Sequence, residues 1–277
     1  MMRYRKLFSR ALSYLLKVLM VLPFMIPFYI AFIYAFKSKM EITFTGIAFP
    51  NPMRWENFPQ AIKVTNFWNA LTNSLITTVP VVVMLTIFCS MGAYIVARRN
   101  TGFYNFVYYT MVGAMLIPFQ VIMTPLYLDL KNFGLINTLL GFILTRTGFQ
   151  IAFSLLLMTG FVKNVPLEIE ESANIDGAGK YKTFWQITFP LMRPIIFTTL
   201  ILNTLYTWND FQVAVTVLQT KNIRTLPLMQ FYFFGENSAN LNLAFAAFLL
   251  SMLPILVLYF TMQKYILSGI TSGAIKG

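Results

Sequence analysis

The chain has 277 residues, of which 57% are hydrophobic and only 11% charged. Soluble domains carry about 25% charged residues, so a surface this apolar could not stay in water, and both a soluble globular fold and intrinsic disorder are excluded. The net charge of +12 does not point to nucleic acid, because Lys and Arg sit between long uncharged runs rather than along one stripe.

A mean hydropathy of +0.66 places the chain in a bilayer. No histidine is present, which removes His-dependent triads, most zinc sites and imidazole proton relays. Cys89 is the single cysteine and lies in an apolar run, so there is no internal disulfide and no cysteine-based metal site.

A stretch of about 20 apolar residues crosses the hydrocarbon core. Six such stretches occur, at 12–36, 71–97, 103–128, 138–162, 191–218 and 243–267. The fold expected is therefore an all-α integral membrane protein of six transmembrane helices. The first stretch follows a basic leader (Arg3, Arg5, Lys6, Arg10). Its apolar run is too long for a signal-peptide core and no small-residue cleavage site follows, so it reads as an uncleaved anchor. With the N-terminus inside, thirteen Lys and Arg fall on inner segments and seven on outer ones, with Arg146 inside the fourth span. That bias favours both termini in the cytoplasm.

The first outer loop, 37–70, carries Pro50, Pro52, Pro59, Trp55 and Trp68 and reads as a compact lid. The inner loop, 163–190, differs from the rest of the chain. It holds four of the nine acidic residues (Glu168, Glu170, Glu171, Asp176), which concentrates the acidic chemistry there. Pro166 suits a first helical turn, the glutamates favour a helix N-terminus, and Gly177 and Gly179 would end the helix. The spacing predicts a short helix over 167–176 outside the membrane. Its small residues (Ser172, Ala173, Ala178) permit close approach, and Leu167, Ile169 and Ile175 provide apolar knobs. From composition alone it is either a docking helix for a partner groove or a solvated amphipathic helix.

The residue pattern carries more than composition does. Glu171-Ser-Ala173, Gly177-Ala178, Ile187 and Phe189-Pro190 resemble the EAA loop of ABC-importer permeases. The flanks Val165-Pro166, Ile175-Asp176-Gly177-Ala178 and Pro190-Leu191 with Arg193-Pro194 are similar to the carbohydrate-uptake branch, in particular the second, six-span permease of maltose-type and multiple-sugar systems. Ile117-Pro118-Phe119, Gly134-Leu135, Trp208-Asn209-Asp210-Phe211, Arg224-Thr225-Leu226-Pro227 and the tail Gln263-Lys264-Tyr265 extend the likeness over essentially the whole chain. Ser172 stands where Ala is usual.

The resemblance implies a permease importing an oligosaccharide or related sugar by alternating access across a bacterial cytoplasmic membrane. It implies a coupling helix between the fourth and fifth spans, inserted into a cytoplasmic ATPase through Glu170, Glu171, Ser172, Ala173, Asp176, Gly177 and Ala178. Ser272, Gly273, Ala274 and Ile275 match the tail that reaches the ATPase dimer. The implied partners are a companion permease, two ATPase copies, an external solute-binding protein, the sugar and membrane lipid.

No engine is expected in the chain itself. Gly177-Ala-Gly179-Lys180 looks briefly like a phosphate loop, but Asn174 stands at the required first glycine and Tyr181 at the Ser/Thr. ATP and Mg would sit on the partner ATPase, and no cofactor or metal is expected here.

Ionisable residues at membrane depth are functional candidates. Asn203, Thr207 and Asp210 recur at helical spacing in the fifth span, with Trp208, Asn209 and Phe211 beside them. Rings next to amide and carboxylate acceptors suit a neutral sugar; the same stripe also suits an interhelical clamp. Arg146 either pairs with Asp210 or reaches the outer surface. A secondary transporter driven by an ion gradient is the competing class, and it calls for embedded carboxylates and an inverted repeat. One good embedded acid and no visible repeat argue against it.

Overall fold

The computed structural model describes the backbone of residues 2–99, 101–233 and 240–274, and the side chains of 12–99, 101–230, 233 and 240–261. Every regular element among the described residues is helical. In chain order these are α1 (Met2–Ala35), α2 (Lys39–Thr45), α3 (Asn57–Thr65), α4 (Phe67–Arg98), α5 (Gly102–Ala114), α6 (Phe119–Asn132) and α7 (Leu139–Val162). They continue with α8 (Leu167–Ile175), α9 (Lys180–Leu191, with a π-helical turn at Phe184–Thr188), α10 (Arg193–Trp208), α11 (Gln212–Val217), α12 (Leu226–Met229) and α13 (Leu241–Ala274).

Four segments are long and apolar enough to cross a bilayer unbroken: Leu12–Ala35, Phe67–Arg98, Leu139–Val162 and Leu241–Thr261. Two more are bent pairs, α5 with α6 at 104° and α9 with α10 at 73°, and the count is six if each pair is one span. The stretch 103–128 is thus two helices rather than the one its hydropathy suggested. Pro118 has no N–H to give and disfavours a helical Ile117, and it stands in an extended conformation at the start of α6.

The stretch 191–218 is interrupted as well. Pro194 sits in the first turn of α10, and a second break at Asn209–Phe211 separates α10 from α11. Asp210 makes that second break a helix start. Its Oδ1 accepts from the backbone N–H of Val213 at 3.0 Å and of Ala214 at 3.1 Å, satisfying donors the first turn leaves free.

The chain divides into two compact units, Met1–Phe67 with Gln230–Leu253, and Trp68–Met229 with Pro254–Gly277. In the first, Asn57 donates its amide to the carbonyls of Ala35 and Lys37, both at 2.8 Å, which closes the end of α1. Asn242 donates in turn to Asn57 Oδ1 at 3.0 Å. Lys37 is 1% exposed, and its Nζ donates to Thr45 Oγ1 at 2.8 Å and to the Gly46 carbonyl at 2.6 Å. Phe36 packs against Trp55 and Phe58 at ring separations of 4.7 and 5.0 Å. The segment 37–65, expected to be the first outer loop, is therefore a folded helical cap on the end of α1.

The second unit is built on α4 and α7. Val81, Leu85, Cys89, Ala93 and Val96 form one stripe of α4 and meet Leu155, Met158 and Val162 of α7, with Tyr108, Met192 and Ile196 completing the cluster. A second cluster gathers Leu130 and Phe142 with Val213, Ala214, Val217, Leu218 and Leu228, so the short α11 is packed on α6 and α7. These two clusters fix the loop after α7 and the break after α10, where the polar chemistry lies.

Candidate functional site

Helix α8 lies between α7 and α9 and closely matches its expected bounds. It ends at Asp176, and Gly177 follows at φ +83°, a conformation open to glycine and strained for other residues. The Ala178 N–H then donates to the Ala173 carbonyl at 2.9 Å and seals the end.

The four acids of this loop do not share one face. Glu170 is turned inward and only 3% exposed. Its Oε1 accepts from Arg98 Nε at 3.0 Å, from Arg98 Nη2 at 2.8 Å and from Thr188 Oγ1 at 3.1 Å. Arg98 Nη2 also donates to the Val165 carbonyl at 2.9 Å. The end of α4, the entry to α8 and the π-helical turn of α9 thus meet at a single carboxylate. Glu171, Ser172 and Asp176 face outward, as do Leu167, Ile169 and Ile175, the last 87% exposed. Ser172 returns its hydroxyl to the Glu168 carbonyl at 2.7 Å, while Ala173 is buried beneath. Helix α8 thus has an anchored inner face and an exposed outer face of acids and apolar side chains.

At the α10–α11 break, Asp210 Oδ2 stands 3.6 Å from Arg146 Nη1, and Arg146 Nη2 donates to Gln150 Oε1 at 3.1 Å. Nearer the middle of α10, Asn203 and Ser154 exchange bonds of 2.9 and 3.1 Å between buried side chains. Asp210, Arg146, Asn209, Phe211, Tyr206 and Gln212 line an open cleft of about 670 Å³. A neighbouring cleft of about 660 Å³ shares Tyr206 and is walled by Thr145, Phe149, Gln150 and Phe153.

The sequence matches the model of a family described as the binding-protein-dependent transport system inner membrane component over residues 89–272, a range that includes α8 and both clefts. The chain belongs to this family. It is therefore an importer permease, a transport component embedded in the membrane by several spans. Three relatives agree in kind. The permease is 38% identical to the melibiose/raffinose/stachyose import permease MelC of Bacillus subtilis over 83% of each chain. It is 33% identical to the probable starch degradation products permease AmyC of Thermoanaerobacterium thermosulfurigenes, over 87% of this chain and 88% of that one. It is 34% identical to the multiple sugar-binding transport permease MsmG of Streptococcus mutans over the same shares. Its fold is that of a chain from a bacterial ABC transporter involved in importing alginate, with a TM-score of 0.78 at 22% identity over 94% of this chain and 96% of that one.

Within the permease the expected stripe divides. Asn203 is committed to Ser154, and Thr207 is buried with a hydroxyl that has no hydrogen-bond partner. Trp208 packs inward, so it does not stand open beside the polar groups as its position in the sequence suggested. Asn209, Asp210 and Phe211 do reach the cleft. The partners that composition did not reveal are Arg98, Thr188, Ser154 and Tyr206. Of these only Arg98 had a visible signal, as a cation closing a long apolar helix. Of the tail residues, Ser272, Gly273 and Ala274 belong to the end of α13 with side chains outside the described set, and Ile275 lies outside the described residues.

Proposed function

We propose that this permease is one membrane half of an ATP-driven importer for a neutral oligosaccharide, and that α8 is its coupling helix. The observation that carries this reading is the two-faced α8, fastened to α4 by Arg98 and Glu170 while Glu171 and Ile175 stand free. An ATPase cleft closing on that outer face would move α4 and α9 with it, because the ion pair leaves α8 no independent path. Glu171 offers a charge to a basic side chain of the ATPase, and Gly177 lets the chain leave the contact sharply. The tail, Ser272 to Ile275, would reach the same ATPase pair. Both termini would then be cytoplasmic, and ATP and Mg would be held by the partner, since the residues around Gly179-Lys180 lack the phosphate-loop pattern.

The sugar reading rests on the relatives' names together with the chemistry of the cleft. Asn209, Gln212 and Asp210 offer hydroxyl partners, and the exposed rings of Tyr206 and Phe211 offer apolar faces for pyranose rings. A companion permease would close the open side of the cleft, and an external binding protein would deliver the solute to the outer loops. Each ligand of the cycle must bind one state better than the other in order to shift it. The ion-gradient alternative is disfavoured by Asp210 itself. Its carboxylate is committed to capping α11 through two backbone N–H groups and stands 3.6 Å from Arg146, and the several embedded carboxylates that such a transporter calls for are not seen in the sequence of the spans.

The test is uptake of labelled raffinose-type oligosaccharide into vesicles containing this chain with its companion permease and ATPase. Glu171→Lys and Gly177→Asp are expected to abolish ATP-dependent uptake while the chain still inserts. Uptake that continues without ATP, or that follows a proton gradient, would overturn the reading.

A further inference from the structure

A cavity of about 410 Å³ lies where α4 ends, between α4 and the segment 174–184. Its lining is graded along α4. Met91 and Ile95, with Phe184 of α9, form an apolar half. Arg98, Arg99 and Lys180 form the other half. Met91 precedes Arg98 by seven residues, about 10 Å along the helix axis, so the cavity runs from membrane depth out to a cationic rim. The charge of Arg98 is spent on Glu170. Arg99 bonds only the Tyr104 hydroxyl, at 3.1 Å, and neither Arg99 nor Lys180 has an acidic partner among the described residues. The rim therefore holds two cations with no acidic partner among the described residues, beside an apolar slot on the flank of the span α4. A polar solute would leave that slot unfilled, and an apolar one would leave the cations unmatched.

We propose that this cavity binds an anionic phospholipid, with the phosphate of its headgroup between Arg99 and Lys180 and the start of an acyl chain along Met91 and Ile95. Basic pockets at the ends of spans bind such headgroups by this combination of charge and apolar contact. Asn174 of α8 also lines the cavity, so the bound headgroup touches the helix that carries the coupling contact. The lipid thereby contacts α8 at Asn174, next to the turn that carries Gly177.

The test is native mass spectrometry of the transporter purified through a tag on this chain, delipidated and titrated with phosphatidylglycerol or phosphatidylcholine. Wild type is expected to retain phosphatidylglycerol in preference to phosphatidylcholine, and Arg99→Gln with Lys180→Gln to weaken that retention by roughly tenfold. A single Lys131→Gln change, at a cation away from the cavity, is expected to leave it unaltered. Equal retention of both lipids, or unchanged retention in the double variant, would overturn the proposal. So would displacement of the lipid by inorganic phosphate at matched concentration, which would make the rim a site for free phosphate.

Discussion

Arg98 at the last turn of α4 and Glu170 in α8 are joined by two charge-assisted hydrogen bonds of 2.8 and 3.0 Å, with the carboxylate almost wholly out of water. The pair links the long apolar helix α4 to the short helix α8 across 72 residues of sequence. Breaking one partner of such a pair costs more than the pair contributes, because an uncompensated buried charge remains. Arg98→Met is expected to loosen α8 by about 3 kcal/mol, with Glu170→Gln milder because the amide can still bond Thr188. Hydrogen exchange of 167–178 measures this. Protection should fall in Arg98→Met, whereas Glu171→Gln should leave it unchanged while weakening attachment of the ATPase.

The turn after α8 depends on backbone alone. A Cβ added at Gly177 would meet nothing within 4 Å, yet the residue has φ +83°. Gly177→Ala is therefore expected to cost about 1–2 kcal/mol of local order with no steric clash. Gly179 is equally open but has no positive φ, so Gly179→Ala should be nearly silent. Co-purification of the ATPase with the two variants is the comparison, and equal yields would contradict the assignment.

Arg146 and Asp210 should behave as one group. Asp210→Ala leaves Arg146 at the cleft wall with only Gln150 as partner, and it also strips the cap from α11. Arg146→Met alone is expected to lower the unfolding temperature of purified protein, and Arg146→Met combined with Asp210→Asn is expected to recover part of the loss. The double-mutant cycle should give a coupling of about 1–3 kcal/mol. Additive losses would mean that the two residues act separately.

The cap on α1 carries a pH signature. The Ser38 backbone N–H donates to Glu41 Oε2 at 2.6 Å, and this bond, then the Ser38 hydroxyl, holds the Glu41 carboxyl below the ordinary glutamate range. A depressed carboxylate contributes stability that is fully present above its unfolded pKa and disappears as the pH falls through the folded one. Exchange protection of 39–45 should thus be constant near neutrality and decline only in acid, below the usual glutamate range. Ser38→Ala removes the hydroxyl half of the reciprocal cap and keeps the backbone N–H that Glu41 accepts from, so it should cost about 1 kcal/mol and move that decline only slightly to higher pH.

Helix α8 could be read in the sequence because its signals are local: a proline before it, acids in its first turn, a glycine after it. That Glu170 points in and Glu171 out was not legible. Adjacent residues on a helix differ by about 100°, and which of them finds an arginine depends on where α4 ends in space. The bend after α5 was marked by Ile117-Pro118, the bend before α10 by Pro194 and the break after α10 by Asp210, but hydropathy averages over such single residues and reports long runs. Trp208 shows the same limit. Its position beside polar residues suggested an open ring, whereas the break at Asn209 turns α10 so that Tyr206 and Phe211 take the exposed places.

The measurement that tests the coupling role most directly is photo-cross-linking from Ile175, the most exposed apolar residue of α8. Ile175→Cys in a Cys89→Ser background would be labelled with a thiol-reactive photoprobe in the assembled transporter. The expected product is an adduct between this chain and an ATPase peptide, altered in yield when ATP is bound. An adduct confined to lipid or to the companion permease, in a transporter that still hydrolyses ATP, would contradict the assignment of α8 as the coupling helix.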